Sequence, residues 1–173
     1  METLAFILSA FCTICACAPS FLKGKNMKLI LLLVICSNVF GGASYAVTGA
    51  LGGAATCAVG ALQTGINFLF ERKEKPIPKW LITAYALSFA AVNLLVFSRY
   101  IDMIALLAAL VFVISISVKN GKKYRLWSLI NTLLWIIYDL ATLSFGPLST
   151  HCILLSTIVF GMLVHDRKKD VIL

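Results

Sequence analysis

The stretch "MKLILLLVICSNVFGGASYAVT", residues 27–48, decides the fold. It carries one charge, Lys28, at its beginning, and the rest is almost entirely apolar or small. A membrane helix needs about 20 apolar residues to cross the hydrocarbon core of a bilayer. The stretch therefore predicts a transmembrane helix rather than a helix of a soluble domain.

Six more stretches of this kind appear when the chain is divided at charge clusters and at turns marked by glycine or proline. The seven predicted spans are residues 3–22, 27–48, 52–70, 79–98, 101–118, 124–145 and 148–166. The chain is 61% hydrophobic and 13% charged, whereas soluble domains are about 45–50% apolar and about 25% charged. Its mean hydropathy is +0.97. We therefore predict an all-α membrane protein that forms one domain, residues 1–173.

The basic residues predict an orientation. Fourteen of the fifteen lysines and arginines follow helices 1, 3, 5 and 7, and only Arg99 lies on the opposite side. Lysine and arginine concentrate in cytoplasmic loops. The N-terminus is therefore predicted outside and the C-terminus in the cytoplasm. The net charge of +8 is assigned to loops at an anionic membrane surface, and nucleic-acid binding is excluded.

Two of the spans share a spaced motif. The matching positions are Asn38, Gly42 and Tyr45 in the second span and Asn131, Trp135 and Tyr138 in the sixth. Each motif precedes a turn with glycine and another apolar helix that ends in charged residues. The pattern predicts two parallel three-helix repeats, residues 3–70 and 101–166, joined by a linker helix at 79–98, which is a 3+1+3 arrangement.

These two halves carry a family resemblance. The segments "NVFGGASYAVTGALGGAATCAVGALQTGINFLFERK", residues 38–73, and "LLWIIYDLATLSFGPLSTHCILLSTIVFGMLVHDRK", residues 133–168, resemble the YgjV-type bacterial inner-membrane proteins. The resemblance runs from about residue 27 to 169 and implies a multi-pass protein of the bacterial inner membrane. More distantly, the 3+1+3 plan resembles SWEET, PQ-loop and nicotinamide-riboside-type vitamin transporters. Pro19 is followed by Ser20 where a PQ-loop has glutamine, and helix 5 has no proline.

The candidate ligand-binding residues are polar or aromatic side chains inside predicted spans. They are Asn38, Tyr45, Gln63, Asn67, Asn131, Trp135, Tyr138 and Asp139. Positions i, i+4 and i+7 share one helix face, and a polar face avoids hydrocarbon, so the two Asn–Tyr faces are predicted to border one cleft. Gln63 and Asn67 fit this site and helix packing equally well.

Asp139 is the acidic residue deepest in a predicted span, and its role stays open. Either it faces a water-filled cavity and binds a cation or relays a proton, or it reaches water at the outer face or pairs with Arg99. His151 is expected to be exposed at that face.

Two functions remain. The first is a carrier for a small polar or ring-containing solute, such as a sugar or a vitamin-like molecule. The second is a non-transporting scaffold or complex subunit. No metal, cofactor or catalytic activity is expected, since the sequence shows no nucleophile–base pair, phosphate loop or metal motif, and the six cysteines fit small apolar packing residues. The expected partners are the lipid bilayer and a small solute, and self-association is left open.

Overall fold

A computed structural model describes residues 2–22, 26–47, 51–95, 97, 100–142 and 145–165. Within these ranges the chain forms seven α-helices and no strand. They are α1 (Glu2–Phe21), α2 (Met27–Val47), α3 (Leu51–Arg72), α4 (Lys79–Leu95), α5 (Asp102–Ser117), α6 (Gly121–Thr142) and α7 (Phe145–His165). The prediction of an all-α protein with seven helices is confirmed, and each described helix overlaps its predicted span.

Four of the helices are both long and apolar enough to cross a membrane, namely α1, α2, α3 and α7. The helices α4 and α5 are apolar but shorter, with 17 and 16 residues. The helix α6 has the length of a span, but Lys122, Lys123 and Arg125 lie in its first turns. Of these three residues Arg125 is buried, and its Nη1 atom donates a hydrogen bond to the carbonyl oxygen of Leu22 at 3.2 Å.

The helices follow the same order of contacts in the two halves of the chain. The helix α2 contacts both α1 and α3, and α6 contacts both α5 and α7. The two halves meet where α1 packs on α7 and where α3 contacts α5, and Ile116 of α5 also packs with residues of α2. The helix α4 packs on α3 and α5. This order agrees with the predicted 3+1+3 repeat, which stays a prediction because it also requires the two halves to superpose.

The helix α5 is packed against other helices over more than half of its circumference. Its buried residues are Ala105, Ala108, Ala109, Val111, Val113, Ser115 and Ile116. Ile116 belongs to an apolar cluster with Ile30 and Val34 of α2, whereas Val113 packs with Phe89 of α4. The remaining face of α5 is exposed, at Met103, Leu107 and Ile114. The position of α5 determines how the polar faces of the other helices can meet.

Candidate functional site

The helices α6 and α7 are joined by a polar contact inside the bundle. Asp139 is 3% exposed, and its Oδ2 atom lies 2.6 Å from Nδ1 of His151. An ionised carboxylate only accepts hydrogen bonds, so with an ionised Asp139 the donor of this bond is Nδ1 of His151. A carboxylate at the centre of a membrane helix costs about 2.5–3.5 kcal/mol on insertion scales, and a charge-assisted hydrogen bond offsets part of that cost.

Two aromatic side chains of α6 surround this pair. The indole of Trp135 stacks on the imidazole of His151, with 5.8 Å between ring centroids and 9° between planes. Tyr138 meets Trp135 edge to face at 5.6 Å and 89°. Residues 138 and 139 lie one helical turn after residue 135, so α6 presents both on the side of Trp135. The imidazole therefore lies between a carboxylate and an aromatic face.

The helix α2 contributes Tyr45 to the same end of the bundle. Its hydroxyl lies within electrostatic range of Cys57 and, more weakly, of Asp139, Cys12 and Tyr138. Its ring lies against α3, since a Cβ atom placed on Gly53 would be 2.8 Å from Cγ of Tyr45. We call the five residues Tyr45, Trp135, Tyr138, Asp139 and His151 the aromatic–acid cluster. Four of its members are among the residues that the sequence predicted.

Two other predicted residues lie apart from this cluster. Asn131 donates from Nδ2 to the carbonyl oxygen of Ala108 at 2.7 Å, which joins α6 to α5. Asn38 donates to the carbonyl oxygen of Val34 in its own helix at 2.9 Å. It also lines an open groove of about 360 Å³ between α2 and α3, formed mostly by alanines and Gly42. None of Tyr45, Asn131, Trp135 and Tyr138 lines that groove. Asn38 and Asn131 thus contact different neighbours, and a common cleft bordered by the two Asn–Tyr faces stays a prediction.

The last two predicted residues lie on α3. Asn67 is buried, donates to the carbonyl oxygen of Ile116 at 3.0 Å and accepts from the hydroxyl of Tyr85 at 3.2 Å. It therefore links α3 to both α5 and α4. Gln63 is 1% exposed, and neither its Oε1 nor its Nε2 atom has a hydrogen-bond partner among the described residues.

His151 belongs to the site, although the sequence pattern did not predict it there. It was expected to be exposed, and this is wrong, because its side chain is only 17% exposed and contacts both Asp139 and Trp135. The sequence does contain a signal for this pair. Asp139 lies three residues before the end of α6, and His151 lies six residues after the start of α7. Both are therefore within two turns of the same end of the hairpin. The alternative partner, Arg99, lies outside the described residues.

The cluster has the chemistry of a binding site for a small molecule. One turn of α6 supplies an indole, a tyrosine hydroxyl and a carboxylate, and the neighbouring helices add a second tyrosine and an imidazole. Such groups can stack on a ring and exchange hydrogen bonds with hydroxyl or amine groups. Among the described residues no group of three or more His, Cys, Asp or Glu side chains could hold a metal ion.

Comparison with known proteins assigns the chain to a family. Searches of the curated proteins and of the solved structures gave no significant match. The family model described as "Bacterial inner membrane protein", Imp-YgjV, matches residues 3–169. The match includes α1, so it begins earlier than the resemblance predicted from the repeat motifs. This location agrees with the apolar helices. The chain therefore belongs to the Imp-YgjV family and is a multi-pass protein of the bacterial inner membrane.

Proposed function

We propose that the protein is a carrier for a small polar or ring-containing solute, which binds at the aromatic–acid cluster. One observation carries the proposal: the nearly inaccessible carboxylate of Asp139 bonded to His151 inside a membrane protein. Apolar side chains would pack two membrane helices together without the cost of a buried carboxylate. Polar and ionisable residues inside membrane proteins commonly mark a path for a solute or an ion.

The aromatic members of the cluster support a ring-containing solute. The indole of Trp135 stacks on His151, so the site already accommodates a flat ring against an aromatic face. Tyr138 and Tyr45 add two hydroxyl groups to the cluster. A ring with hydroxyl or amine substituents would replace the imidazole on Trp135 and bond to the carboxylate. Binding and release of such a solute require no catalytic step, so the proposed role is not enzymatic.

The proposed orientation has the N-terminus outside and the C-terminus in the cytoplasm. The support is the distribution of basic residues, which places Lys122, Lys123 and Arg125 at the cytoplasmic start of α6. Asp139 follows Lys123 by 16 residues, or roughly 24 Å of helix at 1.5 Å per residue. The cluster would then face the outer half of the membrane. A cytoplasmic reporter fused to the C-terminus should be active, and activity of a periplasmic reporter there would refute this orientation.

Uptake into proteoliposomes tests the carrier directly. The purified protein is reconstituted, and the uptake of labelled hexoses and ring-containing vitamins is compared with that of empty liposomes. For a solute that the native protein takes up, we expect Trp135→Ala to lower the rate of uptake by about ten-fold or more. Ile137→Ala is the matched control, since Ile137 is exposed on the same helix. Equal uptake by the native protein and by Trp135→Ala, for every solute transported, would refute the cluster as the binding site.

A second candidate function is a scaffold or complex subunit in which polar residues only hold the helices together. The specific observation in its favour is that Asn67 and Asn131 each donate to a backbone carbonyl of α5. These bonds are pairwise helix contacts of a common kind. If none of the labelled solutes enters and none stabilises the protein against heat, the scaffold becomes the better account.

A further inference from the structure

Gln63 is a buried side chain whose hydrogen-bonding groups are unused. It is 1% exposed, and both its Oε1 and its Nε2 atom are without a partner among the described residues. No other described side chain is left in this state. A buried amide without partners is costly, and in a membrane no water is at hand to compensate for it. An apolar residue at this position would avoid the cost.

The position of Gln63 on α3 directs it into the bundle. The exposed residues of this helix follow one stripe: Ala58, Leu62, Ile66 and Leu69. Gln63 lies on the other face, between Gly60 and Asn67. A Cβ atom at Gly60 would lie 2.7 Å from Oδ1 of Asn38 and 3.4 Å from Phe112, so this face meets α2 and α5.

The polar neighbours of Gln63 on α3 are already engaged. The hydroxyl of Thr64 donates to the carbonyl oxygen of Gly60 at 2.7 Å. Asn67 bonds to Ile116 and to Tyr85. The polar side chains next to Gln63 on α3 are thus hydrogen-bonded to protein groups, whereas the amide of Gln63 is not. Unpartnered buried polar groups in native structures call for a specific explanation, such as a bound molecule.

We propose that Gln63 binds an amide-type group of a small molecule through two parallel hydrogen bonds. Nε2 donates and Oε1 accepts, so the complementary group has an acceptor and a donor on neighbouring positions, as in a primary carboxamide or a lactam ring. The group is neutral, because α3 carries no buried charged residue among the described ones, and the buried Arg125 and Asp139 lie on α6. Gln63 is not a member of the aromatic–acid cluster, so this inference assigns a second binding position, on α3, and goes beyond the proposed function.

Benzamide and N,N-dimethylbenzamide are suitable probes, because the second lacks the N–H donors and keeps the ring and the carbonyl group. The thermal unfolding of the purified protein in detergent is measured with each compound over a series of concentrations. We expect benzamide to raise the unfolding midpoint by about 2–4 °C at concentrations a few times its dissociation constant. The dissociation constant of the dimethyl compound should be higher by about ten-fold or more.

The variant Gln63→Met removes the amide and keeps the length of the side chain. We expect it to be at least as stable as the native protein without benzamide and to lose the preference for benzamide. Asn93→Leu is the matched control, because Asn93 is a buried amide that bonds to the Phe89 carbonyl of its own helix, α4. It should retain the native response to benzamide.

Several results would overturn the inference. The first two are equal stabilisation of the native protein by both compounds and no stabilisation by either. The third is a benzamide response in Gln63→Met that equals the native one. The fourth is a structure with benzamide present in which ordered water bonds to both amide atoms of Gln63. The comparison of the two compounds uses the native protein, so it does not depend on the folding of a variant. The carrier proposal can fail separately, if benzamide binds at Gln63 but the proteoliposomes take up no labelled solute.

Discussion

The hairpins α2–α3 and α6–α7 carry the same spaced motif, and they are held together in different ways. In α2–α3 the helices approach where side chains are missing. A Cβ atom on Gly42 would lie 3.1 Å from Cβ of Cys57, and one on Gly53 would meet the ring of Tyr45. In α6–α7 the contact is made by side chains, namely Asp139 and His151, with Trp135 stacked on the imidazole.

This difference teaches how one pattern can serve two purposes. Close approach of helix backbones at small residues gains dispersion energy and needs no polar group. A carboxylate–imidazole contact is costly to bury and strongly destabilising to break, so it concentrates sensitivity in a few atoms. We therefore expect the loss of one polar side chain to destabilise the α6–α7 hairpin. At the glycine contacts, the addition of one methyl group should be destabilising.

The largest effect is expected from His151→Leu. The substitution removes the hydrogen bond to a buried carboxylate, and breaking a buried ion pair typically costs about 3–5 kcal/mol. The free energy of unfolding in detergent should fall by about that amount. The double variant Asp139→Leu/His151→Leu should recover most of the loss, because no buried charge remains. If His151→Leu is as stable as the native protein, the pair does not hold the α6–α7 hairpin.

An intermediate effect is expected from Gly161→Ala in α7. A Cβ atom at Gly161 would overlap the backbone carbonyl oxygen of Ser20 in α1, and a backbone group cannot rotate away as a side chain can. We expect a loss of about 1–3 kcal/mol in unfolding free energy. Gly65→Ala in α3 is the control, because nothing lies within 4 Å of its added methyl group. That variant should be neutral or gain up to about 1 kcal/mol from helix propensity.

The two glycines also test the comparison itself. If Gly161→Ala is tolerated and Gly65→Ala is not, the close contacts in this bundle are not where the structure has them. A loss with both variants would indicate that α3 and α7 each need glycine for helix bending rather than for an interface.

The smallest effect separates the two asparagines of the repeat. Asn131→Leu breaks a bond to the Ala108 carbonyl of α5, and interhelical bonds of this kind average about 0.6 kcal/mol in a membrane protein. Asn38→Leu removes only a bond to its own helix and should cost less. The difference between the two unfolding free energies measures how far the halves have diverged. Equal costs would indicate that both asparagines make equivalent interhelical bonds.

The course of the chain could be predicted from the sequence because membrane spans depend on local composition. Apolar stretches of sufficient length, separated by charge clusters, are sufficient to locate each helix within a few residues. The helix α5 shows where this reasoning stops. Its sequence is apolar on every side, so it does not show that Met103, Leu107 and Ile114 form the exposed face. Its contacts with α2 and α3 depend on packing among helices that are distant in sequence.

The candidate site was predicted in part for the same reason. The motif spacing identified Trp135 and Tyr138, since residues three and four apart share a helix side, and Asp139 was identified as an acidic residue deep in a predicted span. It could not show that Asn131 faces α5, because that depends on the rotation of α6 in the bundle. His151 could have been found by counting from the turn, and Gln63 could not, since absence of a partner is a property of the folded chain.

The contact between α1 and α7 has a consequence for biosynthesis. The hydroxyls of Thr13 and Thr150 lie 3.3 Å apart, although 137 residues separate them. At a synthesis rate of about 5–20 residues per second, α1 waits roughly 7–27 s in the translating complex before this part of its partner has been made. During that interval the Thr13 hydroxyl can be satisfied by the carbonyl oxygen of Ser9 in its own helix, to which it donates at 2.8 Å. The helix α1 is thus equipped to remain in lipid until α7 arrives.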